Sequence, residues 1–370
     1  MKPNDLSMQI RQNLELRAAL LASAPPMRKK LGTFSTATAG DTTRIKLFNV
    51  GVITRLVMLV EVQVDIGTAI ATVSPKGPYN VINKVRLTDF DGTDRVNLSG
   101  FQLFVINSAR QRAPYGINNE GLTAVATLPD TPTAVGNNAV IRFLLEVPVA
   151  YNPESDLRGA ILAQSAIGEM FLNIDWNATL YGNNNIEAVY NGAATTTVAL
   201  DSYSVTVWQE FLLPQTIGGQ VPLPMMDLLT VYELAGALRA TDNLAAGQER
   251  LINYPNLRSV IGAYVNYVHN NQMSDADLTL WRLLANGSNT LKEYSRYDKI
   301  HDQRLYLNGD LKEGVWFEQS RQKPVETALY GNVQLGFTPA NFTAGGYLEL
   351  AFESFFTKGA ALPGLSQAAS

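Results

Sequence analysis

The side chains best suited to acid–base or metal chemistry are few in this sequence and poorly spaced for it. The 370-residue chain carries two histidines, His269 and His301, and no cysteine. Structural zinc sites draw Cys and His ligands in fours, so zinc is excluded in practice and no thiolate is available as a nucleophile. No His-Glu-x-x-His, Gly-x-Ser-x-Gly, phosphate-loop or dinucleotide fingerprint occurs. His269 ends a strand in "VNYVHNNQ" and His301 lies on a short helix, and both read as structural polar residues. Asp89, Asp91 and Asp94 surround Gly92 in a loose likeness of a calcium loop. The EF-hand spacing fails, and Asp-Gly between two strands is a hairpin turn. Four Asn-x-Ser/Thr triplets, at Asn97, Asn177, Asn286 and Asn341, carry little weight without a secretion signal. The chain is therefore expected not to be an enzyme, with no cofactor, no metal and no catalytic residue. Paired carboxylates of a glycosidase would face each other ~5–9 Å apart, a relation that sequence does not reveal. A glycan-binding protein or glycan-acting hydrolase stays open as the alternative.

Charge points elsewhere. The net charge is −4, yet residues 1–30 hold Lys2, Arg11, Arg17, Arg28, Lys29 and Lys30 against only Asp5 and Glu15. A basic arm on an acidic body points to a negatively charged neighbour for the arm alone: lipid headgroups, nucleic acid or the body of another subunit. The body lacks the basic, aromatic-laced patch of a nucleic-acid binder, so no direct sequence-specific nucleic acid binding is expected. Leu6, Ile10, Leu14, Ala18 and Leu21 recur at intervals of four, four, four and three, one stripe of a helix. The uninterrupted apolar run is only Ala18 to Ala22, too short for a signal peptide, so a retained amphipathic helix over residues 5–24 is expected, stopped by Pro25-Pro26. Its stripe would dock on its own domain, on a neighbouring copy or on a membrane.

The elements behind the arm are strands. Alternation runs through Leu56–Ile66, Ile141–Tyr151, Met170–Leu180 and, more briefly, Tyr203–Val207. Late in the chain Leu348, Leu350, Phe352, Ser354 and Phe356 alternate with Glu349 and Glu353, which reads as one buried and one solvated face. Hydrophobic residues make up 46% and charged ones only 17%, which suits a sizeable core in an all-β protein. "LPQTIGGQVPLP" (213–224) reads as a domain joint. Each side of it runs strand, glycine turn (Gly92 or Gly287), short strand, and a helix capped by serine (Ser99 or Ser295). Phe101, Phe104, Val105 and Ala109 form the buried face of the first helix, and Leu278, Trp281 and Leu284 are assigned to a strand by the duplicated layout. Two β-sandwiches of one topology follow.

Four collinear stretches carry a resemblance. "LSGFQLFVINSARQRAPYG" (98–116), "VPVAYNPESDLRGAIL" (147–162), "LPMMDLLTVYEL" (223–234) and "ALYGNVQLGF" (328–337) are similar to segments of tectivirus-type major capsid proteins. These form the shells of tailless icosahedral bacteriophages with an internal membrane. The resemblance implies an all-β chain of two tandem eight-stranded antiparallel jelly-roll sandwiches, with short helices in loops and the N-terminal amphipathic helix. Its expected parts are an arm (1–32), first jelly roll (33–212), linker (213–224), second jelly roll (225–357) and tail (358–370). It further implies pseudo-hexagonal homotrimers tiling a shell, meeting neighbouring trimers and other capsid and vertex proteins. The chain would be made in a bacterial cytoplasm, as the lack of cysteine suits, and end in the virion capsid. The arm residues expected to touch a membrane or neighbour are Leu6, Ile10, Arg11, Leu14, Arg17, Leu21, Arg28, Lys29 and Lys30.

Overall fold

The structure is a computed structural model that describes residues 24–110, 131–163, 168–192, 196–213, 230–239, 245–306, 312–321, 323–342 and 346–357. The expected helix over 5–24, nearly all of the joint and the tail lie outside them.

Eight long strands build the first roll: β1 (Pro26–Thr36), β2 (Thr42–Lys46), β3 (Val52–Gly67), β4 (Ile82–Thr88), β5 (Asp94–Leu98), β6 (Gly136–Pro148), β7 (Phe171–Trp176) and β8 (Thr197–Leu212). They pair in the orders β1-β8-β3-β6 and β2-β7-β4-β5, two facing sheets of four. In β3, "VITRLVMLVEVQVDIG", Leu56, Met58, Val60, Val62, Val64 and Ile66 all point into the core. Period-two alternation with β-branched residues makes this strand, since the inner face buries apolar surface while the backbone is paired on both sides. Eight more strands repeat the plan: β9 (Thr230–Arg239), β10 (Arg250–Asn253), β11 (Ser259–Val268), β12 (Leu278–Ala285), β13 (Asn289–Ser295), β14 (Val315–Gln319), β15 (Val333–Pro339) and β16 (Tyr347–Thr357). Their orders, β9-β16-β11-β14 and β10-β15-β12-β13, match the first roll position for position. Both rolls carry a helix in the same connection, α1 (Gly100–Ala109) and α2 (Arg296–Tyr306). The double jelly roll of the sequence reading is what the chain forms.

Serine caps open both helices as expected. Ser99 accepts from the Gln102 amide while the Gln102 side chain accepts from the Ser99 amide, a reciprocal capping box. Ser295 and Asp298 do the same for α2. The stretch around Trp281 is strand, as the duplicated layout requires.

Three expectations need correction. Arg28, Lys29 and Lys30 are not in an arm: they belong to β1, whose register on β8 starts at Pro26↔Leu212. The first roll thus begins at 26 and not 33, and Pro26 sits where a strand tolerates proline, at its first residue. The Tyr203–Val207 strand is far longer, Thr197–Leu212. Its polar inward residue Gln209, fully buried, hid the alternation; its amide exchanges two 2.9 Å hydrogen bonds with the Phe48 backbone. The Met170–Leu180 strand stops at Trp176, because the Asn177 side chain accepts from the Thr179 amide and turns the chain.

Phe143 is fully buried in the first roll, edge-on to Tyr79 at 5.2 Å between ring centroids. Phe143→Ala is expected to cost about 3–5 kcal/mol, as large-to-small changes in aromatic core positions do. Denaturant unfolding with the denaturant dependence unchanged is the measurement.

Candidate functional site

Cavity chemistry is not where this fold invests its buried polar groups. His269 Nε2 lies 2.8 Å from Asp277 Oδ1 and its ring stacks on Tyr267, while the same Asp277 carboxylate accepts from Asn341. That arrangement ties loops together. His301 stands exposed on α2. Asp89 is buried against Arg95 at 2.6 Å and takes the Asp91 and Thr93 amides, so the Asp cluster is a hairpin turn held by an ion pair. Among the described residues no three His, Asp or Glu side chains gather as a metal site would need.

The dense polar constellation lies instead at the seam between the rolls. Strand β9 of the second roll pairs in parallel with β5 of the first, Leu234↔Val96 and Ala235↔Asn97. One sheet therefore runs through both rolls, β14-β11-β16-β9-β5-β4-β7-β2. The close approach depends on small residues. A Cβ on Gly236 would stand 2.2 Å from Gln102 Oε1, and one on Gly159, already at φ +86°, 2.2 Å from the Tyr232 Cβ. Gln102 then donates across the seam to the Leu350 carbonyl at 2.8 Å.

Behind this pairing sits Glu353 on β16, with no exposed surface. Arg110, from the C-terminal end of α1, reaches its Oε1 at 2.9 Å and also donates to the Tyr151 carbonyl at 2.8 Å. The Tyr232 and Tyr264 hydroxyls donate to the two carboxylate oxygens at 2.7 and 2.9 Å, and Arg321 stands 4.0 Å away. Burial pushes the Glu353 carboxyl up, but Arg110, Arg321 and the two phenols outweigh it and hold the group below its ordinary value of 4.5. Burial pushes both tyrosines up. A second link is Lys76, nearly fully buried, which joins Glu349 of the second roll at 2.6 Å and Glu187 of the first at 2.5 Å. Asn266 donates to the other Glu349 oxygen at 2.7 Å. Apolar contacts complete the seam: the main core cluster runs without a break from Val60 and Phe143 through Tyr232 and Leu234 to Ala351 and Phe355.

Glu349 and Glu353 correct the sequence reading. Their alternation with Leu and Phe reads as a solvated face, yet β16 is buried on both faces from Leu348 to Phe355. Reasoning from sequence missed Arg110, Arg321, Lys76 and both glutamates as a set. The usable signal was faint: the second face of β16 also holds Ala351 and Phe355. Of the expected arm residues, Leu6, Ile10, Arg11, Leu14, Arg17 and Leu21 lie outside the described residues. Arg28 reaches Glu210 at 3.7 Å and covers Trp208, and Lys29 covers the Phe48 ring.

A tandem of like rolls joined by one sheet meets its match in known proteins. Models described as P3 major capsid protein N-terminal and P3 major capsid protein C-terminal match residues 8–213 and 229–367. The chain belongs to the P3 major capsid protein family. It is 27% identical over 371 residues to the major capsid protein P3 of Enterobacteria phage PRD1, covering 94% of this chain and 91% of that one. The fold is shared at far lower identity. The MCP of Sulfolobus Turreted Icosahedral Virus superposes with a TM-score of 0.68 at 10% identity, over 90% of this chain and 97% of that one. The major capsid protein P2 of bacteriophage PM2 does so with a TM-score of 0.52 at 9% identity, over 90% and 97%. This major capsid protein is thus a structural component of the virion and not an enzyme, which retires the hydrolase alternative.

Glu353→Gln leaves the buried Arg110 and the half-buried Arg321 short of their counter-charge, and is expected to cost about 3–5 kcal/mol. Because the folded carboxyl titrates below its ordinary value, its contribution is complete above about pH 4.5 and is lost as pH falls through the lower folded value. Unfolding free energies measured across that acid range should fall more steeply for the parent than for Glu353→Gln.

Proposed function

We propose that the chain closes into a homotrimer, with its two rolls supplying six like blocks in a ring, and that such pseudo-hexagonal trimers tile an icosahedral shell over an internal membrane. The observation that carries this reading is the repeated eight-strand order joined by one continuous sheet. A rigid pair of like rolls, repeated three times by a heterologous contact that closes, gives a hexagonal outline that packs into facets. Neighbouring trimers, vertex proteins and the membrane are the partners; sequence-specific nucleic acid contacts are not part of the design. Synthesis takes place in the cytoplasm of a bacterial host.

The direction of the chain supports an inward-facing arm. Ala24 packs with Val52, Ala160 and Leu212 at one end of the first roll. Thr357 pairs with Thr230, two residues before Tyr232, which meets Gly159 beside that same cluster. Both described ends of the chain thus leave from one end of the block. Residues 1–23, with Leu6, Ile10, Leu14 and Leu21 in one stripe and Arg11 and Arg17 beside it, form the membrane- or neighbour-contacting arm. A basic side chain near an anionic leaflet is worth about 1 kcal/mol, and many copies on one shell add avidity.

Light scattering at micromolar concentration should give three times the 40.4 kDa chain mass; a monomer overturns the trimer. Removing residues 1–23 should keep that trimer mass while abolishing flotation with anionic vesicles and impairing shell assembly. Loss of folding in the truncated protein would instead assign the segment to the roll.

A further inference from the structure

The joint between β5 and β9 covers two sheet edges inside the chain, and among the described residues the repeat leaves their counterparts without a strand neighbour. In the first roll, β5 ends its sheet of four and meets β9, the edge of a sheet in the second roll. The counterpart of β5 in the second roll is β13, which ends the β10-β15-β12-β13 sheet with no strand beyond it among the described residues. The counterpart of β9 in the first roll is β1, which ends the β1-β8-β3-β6 sheet in the same way. Both are exposed along much of their length. An open strand edge carries unpaired backbone donors and acceptors and is a template for another chain.

We infer that β1 of one copy docks edge-on against β13 of the next, repeating between chains the β5–β9 joint within each chain. The inference rests on the trimer reading above and names the surface that would close it. Position assigns the residues. Val96 and Asn97, which meet β9, lie three and two residues before the cap Ser99; Lys292 and Glu293 hold those places before the cap Ser295. Leu234 and Ala235, which meet β5, are the fifth and sixth residues of β9; Lys30 and Leu31 are the fifth and sixth of β1. The contact therefore sets Lys30 opposite Lys292 and Leu31 opposite Glu293, with Lys29, two residues before Leu31, on the Glu293 face.

Charge agrees with position. Lys292 turns inward to Glu318, leaving the exposed Glu293 as the acid on the outer rim of β13. Across its own sheet Glu293 faces Arg282, whose guanidinium is already taken by Glu249 through two hydrogen bonds. On β1, Arg28, Lys29 and Lys30 are all exposed. The β1 edge also has features that hold off indiscriminate pairing: Pro26 at its start, three cations in a row, and a register shift between Lys30 and Gly32. An edge so guarded accepts an acidic partner and repels a second basic edge. The contact is head-to-tail, since every copy offers one β1 and one β13, so three contacts close a ring with no edge left over.

The absence of cysteine makes the test clean. Leu31→Cys with Glu293→Cys, oxidised as the assembled full-length protein, should run on a non-reducing gel as covalent dimers and trimers, while either single variant stays at one chain mass. Charge exchange reads the same contact without new bonds. Lys29→Glu or Glu293→Lys alone should raise the concentration at which trimers dissociate by about tenfold, as like charges across an interface do, and the two together should restore it. Far-ultraviolet circular dichroism confirms that each variant is folded. A trimer by light scattering that gives no covalent trimer, with no rescue by the charge exchange, overturns the edge contact and leaves the trimer standing. A parent protein that is monomeric overturns both.

Discussion

A carboxylate with no exposed surface is stable only where positive charge and hydrogen bonds replace the water it has lost. Glu353 meets that constraint with partners from both rolls: Arg110 from the first, Tyr232, Tyr264 and Arg321 from the second. None of these can shift alone, because each one is part of the compensation for a charge that would otherwise be costly. The relative placement of the rolls follows from this, and with it the run of a single sheet from β14 to β2. Lys76, buried between Glu187 and Glu349, imposes the same requirement farther along the same face of β16. Apolar contact alone would let two smooth faces slide; buried ion pairs fix one register.

That rigidity is what a shell-building part requires and what a catalyst does not. The fold spends its buried polar groups on geometry between domains, and its loops close with Asx turns, such as those at Asn177 and Asp89, and not with reactive groups. Structural neighbours at about a tenth identity keep the architecture. Strand order and the sheet crossing between rolls can persist while individual side chains change, since packing tolerates substitution that conserves volume and pattern.

Much of this was legible in the chain. Long alternating runs such as Leu56–Ile66 announce strands because one inward face must be apolar and the period is two. The repeated strand–turn–strand–helix unit was readable from Gly92 and Ser99 against Gly287 and Ser295, because turns and caps demand particular residues wherever they occur. Alternation fails where the environment is not one-sided. Gln209 breaks the inner face of β8 since it substitutes for a missing backbone partner, and Glu349 and Glu353 imitate a wet face since Lys76 and Arg110, which pair with them, stand more than two hundred positions away. Arg28 to Lys30 imitate a free arm since an outer strand at a sheet edge is as polar as a tail. Only three-dimensional neighbours separate these cases.

The parallel joint also has a consequence in time. Val96 leaves the ribosome well before Leu234, and at about 5–20 residues per second the delay is on the order of ten seconds. Once Leu212, the end of β8, has followed, the first roll has all of its own strands while its β5 rim still waits for β9. A coat protein translated in many copies at once offers that rim to the β9 of any sister chain as well as to its own. The covalent connection decides the contest: it keeps the chain's own β9 at a high local concentration, against a joint of only two residue pairs that a stranger would have to find by diffusion. Brevity of the joint is thus a safeguard, since a longer rung of pairing would hold strangers as firmly as kin and exchange whole rolls between chains.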